Sequence, residues 1–282
     1  MTIDDVKIEF QRELAILYGP KEIQSIYELI AEDLEFTPTS LIVNREQAVS
    51  DEQKNYFLSC LARLITAEPV QYVRGKADFY GSQFYVNSSV LIPRPETEEL
   101  VDLIIRENSN YGGNIVDLGT GSGCIAISLA KNIPEAHVCA VDISEPALTV
   151  AQNNAKMNNV FVDFHLGDMR NEAFMSQFKN CDVVVSNPPY VCNAEKKEMR
   201  ANVLNYEPHV ALFVEDADPL CFYKSIAHCS MKNLVKGGKV YCEINESFGK
   251  ETLQLFESAG LQQCEIIKDL SGKDRIIKAC KL

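Results

Sequence analysis

Asn114-Ile115-Val116-Asp117-Leu118-Gly119-Thr120-Gly121-Ser122-Gly123 is the stretch that decides the fold. Its first five residues form a short apolar run carrying a carboxylate, the pattern of a buried strand. Glycine then recurs at alternate positions, and residues 124–131 (CIAISLAK) place apolar side chains at helical spacing. Strand, glycine turn and helix in this order form a Rossmann-type unit, in which a nucleoside-bearing cofactor lies against backbone. A dinucleotide fold asks for G-x-G-x-x-G with its pyrophosphate on the helix N-terminus, but the sixth position here is Cys124. NAD is therefore the poorer fit.

Downstream, residues 138–142 (VCAVD) read as a second strand ending in Asp142, 25 positions past Asp117. That is where such a sheet places the carboxylate that takes ribose hydroxyls. Asp168, in Leu166-Gly167-Asp168-Met169, ends a third unit and is expected beside the adenine. Residues 182–186 (DVVVS) are a fourth apolar, β-branched run, followed at once by Asn187-Pro188-Pro189-Tyr190. Ligands in open α/β sheets sit at the carboxyl ends of strands, so this rigid turn is expected in the site. A planar nitrogen has its lone pair delocalised, and what helps it attack a methyl group is a fixed NH2 plane. The Asn187 side-chain oxygen and the Pro188 carbonyl can each accept one of its hydrogens. Proline has a fixed φ and no N–H, which keeps that carbonyl in place without a competing donor. Tyr190 offers a ring for the substrate plane to lie on. The glycine loop and this turn together point to methyl transfer from S-adenosylmethionine to an amide or amino nitrogen, with Asn187, Pro188 and Tyr190 as the candidate catalytic residues.

Around these motifs the chain reads as two unequal parts. Residues 1–70 show helical periodicity, with Ile23, Ile26, Tyr27, Ile30 and Leu34 on one stripe and Tyr56, Phe57, Leu61, Leu64 and Ile65 on another. They are expected to form a small helical substrate-recognition domain. Residues 71–95 are expected to be a hairpin linker, with the hairpin over 79–90. Residues 96–282 alternate strands and helices as a doubly wound sheet requires, opening on a helix at Arg94-Pro95-Glu96-Thr97 and closing with paired strands over 263–268 and 275–281.

Composition narrows the partners. Of 282 residues, 46% are hydrophobic, and the net charge is −13. That charge repels the phosphate backbone of nucleic acids and attracts a sulfonium cofactor and a basic protein partner. No direct nucleic-acid binding is expected. No run of about 18 apolar residues suited to crossing a bilayer occurs, nor a signal peptide at Met1, so a cytoplasmic protein is expected. The ten cysteines include no C-x-x-C pair and the four histidines are scattered. No metal site is expected.

The chain resembles the PrmC/HemK family of protein methyltransferases, which modify the glutamine of the Gly-Gly-Gln motif in peptide chain release factors. The resemblance covers nearly the whole length. Besides DLGTGSG and NPPY it rests on residues 68–75 (EPVQYVRG), Phe79-Tyr80-Gly81, residues 91–101 (LIPRPETEELV), Tyr206-Glu207-Pro208 with Ala211-Leu212, and Gly237-Gly238 with Glu243-Ile244. The segment containing IPRPETE separates this family from general methyltransferases of the fold. It implies a Rossmann-like S-adenosylmethionine-dependent sheet, with Gly119, Thr120, Gly121, Ser122, Gly123, Asp142, Asp168, Met169 and Asn187 as cofactor contacts. It also implies Asn187, Pro188, Pro189 and Tyr190 as the pocket for the glutamine of a release factor's GGQ loop. Met169 stands where the family often has an aromatic residue, and Asn205 where arginine is common. A DNA or RNA adenine amino-methyltransferase would use an NPPY pocket by the same logic, but the acidic charge and the lack of a sequence-reading domain favour a protein substrate.

Overall fold

The structure, a computed structural model, describes residues 1–108 and 112–282. These fall into two compact units, Met1–Lys76 with Arg200–Tyr206, and Ala77–Met199 with Glu207–Leu282.

The smaller unit carries helices α1 (Ile3–Leu14), α2 (Pro20–Glu32), α3 (Pro38–Val43), α4 (Asp51–Leu64) and α5 (Val70–Arg74). Thr2 and Ser50 close capping boxes at the starts of α1 and α4, giving partners to backbone donors that the helix itself cannot satisfy. Their apolar stripes meet in a core where Phe10, Tyr27 and Phe57 touch ring to ring, with centroids 5.7, 6.1 and 6.1 Å apart. The unit runs on past residue 70 because α5 packs into it through buried Tyr72 and Val73. Arg74 reaches Asp33 at 2.8 Å, and Lys76 and the Tyr56 hydroxyl each hold the same carboxylate at 2.7 Å. Partial burial pushes the Asp33 carboxyl up, but these partners outweigh it and hold the group below the usual carboxylate range.

The larger unit begins within β1 (Lys76–Phe79), which forms a two-stranded sheet with β2 (Ser82–Tyr85). Tyr80 and Gly81 between them both have positive φ, 46° and 67°, the turn that matches the twist of paired strands. Reading the hairpin as starting at Phe79 missed its first strand, whose charged Lys76 and Asp78 face away from the core. Phe79 and Phe84 are buried in the main core, so residues 77–95 belong to the larger unit and do not form a separate linker.

Next come α6 (Pro95–Asn108), β3 (Asn114–Leu118), α7 (Cys124–Asn132), β4 (His137–Asp142), α8 (Glu145–Met157), β5 (Asp163–Leu166), α9 (Glu172–Met175), β6 (Cys181–Ser186) and β7 (Val191–Cys192). After these follow α10 (Ala201–Tyr206), which belongs to the helical unit, then β8 (Phe213–Val214), α11 (Cys221–Asn233), β9 (Leu234–Glu243), α12 (Gly249–Ser258), β10 (Gln262–Lys268) and β11 (Asp274–Cys280). Seven strands form one sheet in the order β10-β11-β9-β6-β3-β4-β5. The run from β9 to β5 is parallel, and β11 lies antiparallel between β9 and β10. Successive residues go to opposite faces: Ile115 and Val183 join one apolar cluster, Val116 and Val184 the other. Burial of both faces is what a parallel sheet covered by helices requires.

From β3 the chain adds β4 and β5 on one side and then crosses to β6 on the other, so the strand order reverses between β3 and β6. Leu118 is in register with both Val141 and Ser186, and Ser186 with Cys242. The residues one step further on, Asp142, Gly119, Asn187 and Glu243, therefore stand in a single row along the carboxyl edge, on strands about 4.8 Å apart.

Candidate active site

At one end of this row the main chain does the shaping. The Gly119 and Thr120 N–H groups both donate to the Val141 carbonyl, at 2.8 and 3.0 Å, which folds the loop over β4. Gly121 N–H donates to Asp142 Oδ2 at 2.8 Å, and Ser144 N–H to Oδ1 at 2.9 Å. Burial pushes the Asp142 carboxyl up while these backbone donors pull it down. Gly119 and Gly121 have φ of 76° and 55°, a region that side-chain-bearing residues avoid. A Cβ on Gly121 would enter open space, whereas one on Gly119 would come within 3.0 Å of Met169 Cε.

An open cleft of about 990 Å³ lies against this loop, and Gly119, Thr120, Gly121, Ser122, Asp142, Asp168, Met169 and Asn187 all line it. Gly123 is the exception among the expected cofactor residues. It caps α7 with φ 81°, and a Cβ there would meet Ile127 Cδ1 at 2.9 Å and Ala151 Cβ at 3.1 Å. Glycine is needed at 123 for helix packing. Arg170 grips Asp168 at 2.9 Å and, against the desolvation of partial burial, holds its carboxyl below the usual range. Asp117 sits behind the loop, fully buried, with Oδ2 accepting from the Thr120 hydroxyl at 2.6 Å; burial pushes its carboxyl up to about 7.

The row's other end is built from side chains. Asn187 borders both the cleft and a smaller pocket of about 300 Å³, lined by Leu91, Arg94, Pro188 and Tyr190 among others. Pro189 faces the main cleft, while Pro188 and Tyr190 line only the smaller pocket, so the four residues of the motif divide between the two spaces. Tyr190 donates its hydroxyl to Glu243 Oε1 at 2.8 Å, and burial followed by this acid pushes the phenol well above its ordinary value. Thr97 donates to Glu243 Oε2 at 2.7 Å and accepts from Asn187 Nδ2 at 3.1 Å. Glu243 is almost fully buried, and desolvation pushes its carboxyl up. Arg94 reaches Glu207 at 2.6 Å, and the same buried carboxylate takes the Ile92 N–H at 3.1 Å. These bonds hold residues 91–94 as a wall of the cleft.

Thr97, Glu243, Arg94, Glu207 and the cleft-lining Phe222 were not among the residues singled out from sequence as site residues. Glu243 carried a usable signal, because an acid ending an apolar strand next to β6 belongs on the ligand edge of the sheet. Phe222 brings an aromatic ring to the cleft from α11, with the Arg170 guanidinium 5.3 Å from its centre. Strand pairing also gathers His137, Cys139 and Asp163, with donor atoms within 4.8 Å of one another, although the sequence scatters them. They do not line the cleft, and burial pushes the Cys139 thiol up to about 11.

The cleft has the chemistry S-adenosylmethionine asks for: open space beside Gly121, a carboxylate at Asp142, and apolar walls at Val141, Ile143, Ala147 and Phe222. Residues 97–207 match the methyltransferase small domain, and residues 9–75 match the PrmC N-terminal domain. The fold is also that of a T. thermophilus 16S rRNA methyltransferase solved in complex with AdoMet and guanosine, with a TM-score of 0.51 at 16% identity over 73% of this chain and 50% of that one. Fold and cleft thus define an S-adenosylmethionine-dependent methyltransferase. The release factor glutamine methyltransferase of Flavobacterium psychrophilum is 44% identical over 99% of both chains, and that of Bacteroides thetaiotaomicron is 44% identical over 95% of this chain and 96% of its own. The chain belongs to the release factor glutamine methyltransferase family.

Proposed function

We propose that this protein methylates the side-chain amide nitrogen of the glutamine in the GGQ loop of peptide chain release factors, with Asn187 and Pro188 as the groups that fix the substrate NH2. Bound S-adenosylmethionine supplies a methyl group on a sulfonium, ready for attack by a nucleophile. Gly119, Thr120, Gly121 and Ser122 would hold the cofactor along the loop, Asp142 would take the ribose hydroxyls, and Asp168, Met169 and Phe222 would border the base. The chain's own contribution at the reacting end is orientation. Asn187 Oδ1 and the Pro188 carbonyl accept the two amide hydrogens and favour the more acidic NH2 that develops as the methyl arrives. Tyr190, fixed by Glu243, gives the amide plane a wall. The observation that carries this reading is the register of β3 and β6, which sets the glycine loop and Asn187 side by side at one cleft.

The small helical unit is assigned to recognition of the release factor. A chain starting at Ala77, shown to be folded, keeps its cofactor affinity and loses most of its activity on intact release factor; equal kcat/KM would make the helical unit structural only. The acidic net charge of −13 disfavours direct nucleic-acid binding, and a release-factor substrate places the work in the cytoplasm. Among the described residues no helix is long and apolar enough to cross a membrane. The test offers labelled S-adenosylmethionine with release factor, with its Gly-Gly-Ala variant, and with DNA and RNA at low salt. Label goes to the first substrate alone; methylation of the alanine variant or of nucleic acid contradicts the proposal.

A further inference from the structure

Asn187 can face the cleft with either end of its amide, and only one end is useful. An amide substrate brings two N–H donors, so Asn187 must present Oδ1; a flipped side chain would present Nδ2 and oppose donor to donor. The NPPY turn alone does not decide between the two, because oxygen and nitrogen of an amide have the same shape and differ only in hydrogen-bonding sense.

The side chains behind Asn187 do decide it. Glu243 is level with Asn187 on the next strand, through the pairing of Ser186 with Cys242, and its carboxylate, once ionised, only accepts. The Thr97 hydroxyl has one hydrogen, and it goes to Glu243 Oε2 at 2.7 Å. What Thr97 turns toward Asn187 is therefore a lone pair, and Asn187 Nδ2 donates to it at 3.1 Å. Tyr190 spends its own hydroxyl hydrogen on Glu243 Oε1 at 2.8 Å, so both carboxylate oxygens are engaged by donors. The Asn187 side chain has no other hydrogen-bond partner among the described residues, which leaves Oδ1 for the cleft. Thr97 is only 2% exposed and Glu243 1%, so water is shut out of the Thr97–Glu243 contact and an unmet hydrogen-bonding atom there is costly.

We propose that Thr97, held by Glu243, is a positioning residue that fixes the polarity of the Asn187 amide, so that the site presents an acceptor to glutamine and selects a side chain that donates. The inference rests on Asn187 being the substrate acceptor. It also accounts for asparagine at 187: an aspartate there would set a second carboxylate against a Thr97 hydroxyl already committed to Glu243. A glutamate side chain in the substrate, which only accepts when ionised, meets an acceptor and is turned away.

The test is a double-mutant cycle on the full-length enzyme, with release factor as substrate and calorimetry of S-adenosylmethionine alongside. Thr97→Val keeps the shape of threonine and removes the lone pair. Single-turnover rate should fall about tenfold, the size expected for one lost neutral hydrogen bond, with cofactor affinity unchanged. Thr97→Ser should recover most of the rate, since the hydroxyl returns. In an Asn187→Ala background Thr97→Val should change the rate by less than about twofold, because a residue acting only through Asn187 has nothing left to act on. Thr97→Ala provides the same comparison should valine prevent folding. A wild-type rate for folded Thr97→Val or Thr97→Ala, or a full tenfold loss that persists without Asn187, overturns the relay while leaving the Asn187 pocket standing. A wild-type rate for Asn187→Ala removes the pocket reading and the relay with it.

Discussion

At the cofactor end of the cleft the groups held in place are main-chain N–H groups: the Val141 carbonyl draws in two of the glycine loop, and the Asp142 carboxylate ties down those of Gly121 and Ser144. At the substrate end they are side chains drawn from distant parts of the chain, with Asn187 leaning on Thr97, 90 positions away, and Thr97 on Glu243, 146 positions away. A backbone cradle depends on glycine and on strand register, so it fails when a Cβ intrudes. A side-chain relay depends on who donates to whom, so it fails when one hydroxyl is lost while the fold stays intact.

Three changes sharpen that contrast, taken from the largest expected effect. Gly123→Val strikes the cradle from behind: its φ of 81° and a Cβ placed 2.9 Å from Ile127 Cδ1 combine left-handed strain with overpacking, together about 2–5 kcal/mol of stability. Urea denaturation reads it, and a midpoint equal to wild type would mean that α7 and α8 yield freely. Asp142→Ala should act on affinity, with about 1.5–3 kcal/mol for each charge-assisted hydrogen bond to the ribose, while the rate at saturating cofactor stays close to wild type. Unchanged calorimetric affinity would remove Asp142 from the cofactor site.

The smallest effect is a pH dependence of the unliganded protein. Asp117 keeps its proton up to about 7 when folded, against an ordinary value of 3.8, so between those values the folded state binds more protons than the unfolded one. Stability should therefore fall as pH rises through that window, by at most about 3 kcal/mol from pH 5 to 7. Asp142 and Glu243, also pushed up by burial, act in the same direction. Asp117→Asn should flatten the slope; urea midpoints at pH 5 and pH 7 that differ as much as in wild type would contradict it.

The same contrast explains what could be read from the chain alone. The cofactor end is local: strand, glycine turn, helix and the acid at 142 lie within 40 residues, and each follows from periodicity or from the freedom of glycine. Gly123 stands apart from its neighbours in packing α7 against α8, and a packing glycine and a ligand-facing glycine look alike until α8 is in place. At the substrate end the NPPY turn was legible, since proline writes its own geometry. The polarity of Asn187 was not, because it depends on which strand neighbours β6 and on where a threonine at the start of α6 arrives. Tyr190 had its ring foreseen but not its hydroxyl, whose partner Glu243 comes from the same unforeseen neighbour strand. The helical unit was recognisable by its stripes, but its end at Lys76 depends on Asp33 gathering Arg74 and Lys76 from more than 40 residues further on.

The central claim is that Asn187 fixes the substrate amide for methyl transfer and does not hold the cofactor. Single-turnover kinetics of Asn187→Ala on release factor, with mass spectrometry to locate the methyl group and calorimetry to follow S-adenosylmethionine, test it most directly. The rate should fall about a hundredfold to a thousandfold, roughly 2.7–4 kcal/mol as for one lost preorganised group, with cofactor affinity nearly unchanged and residual methyl still on the glutamine nitrogen. A wild-type rate, or a loss explained entirely by weaker cofactor binding, would contradict the account.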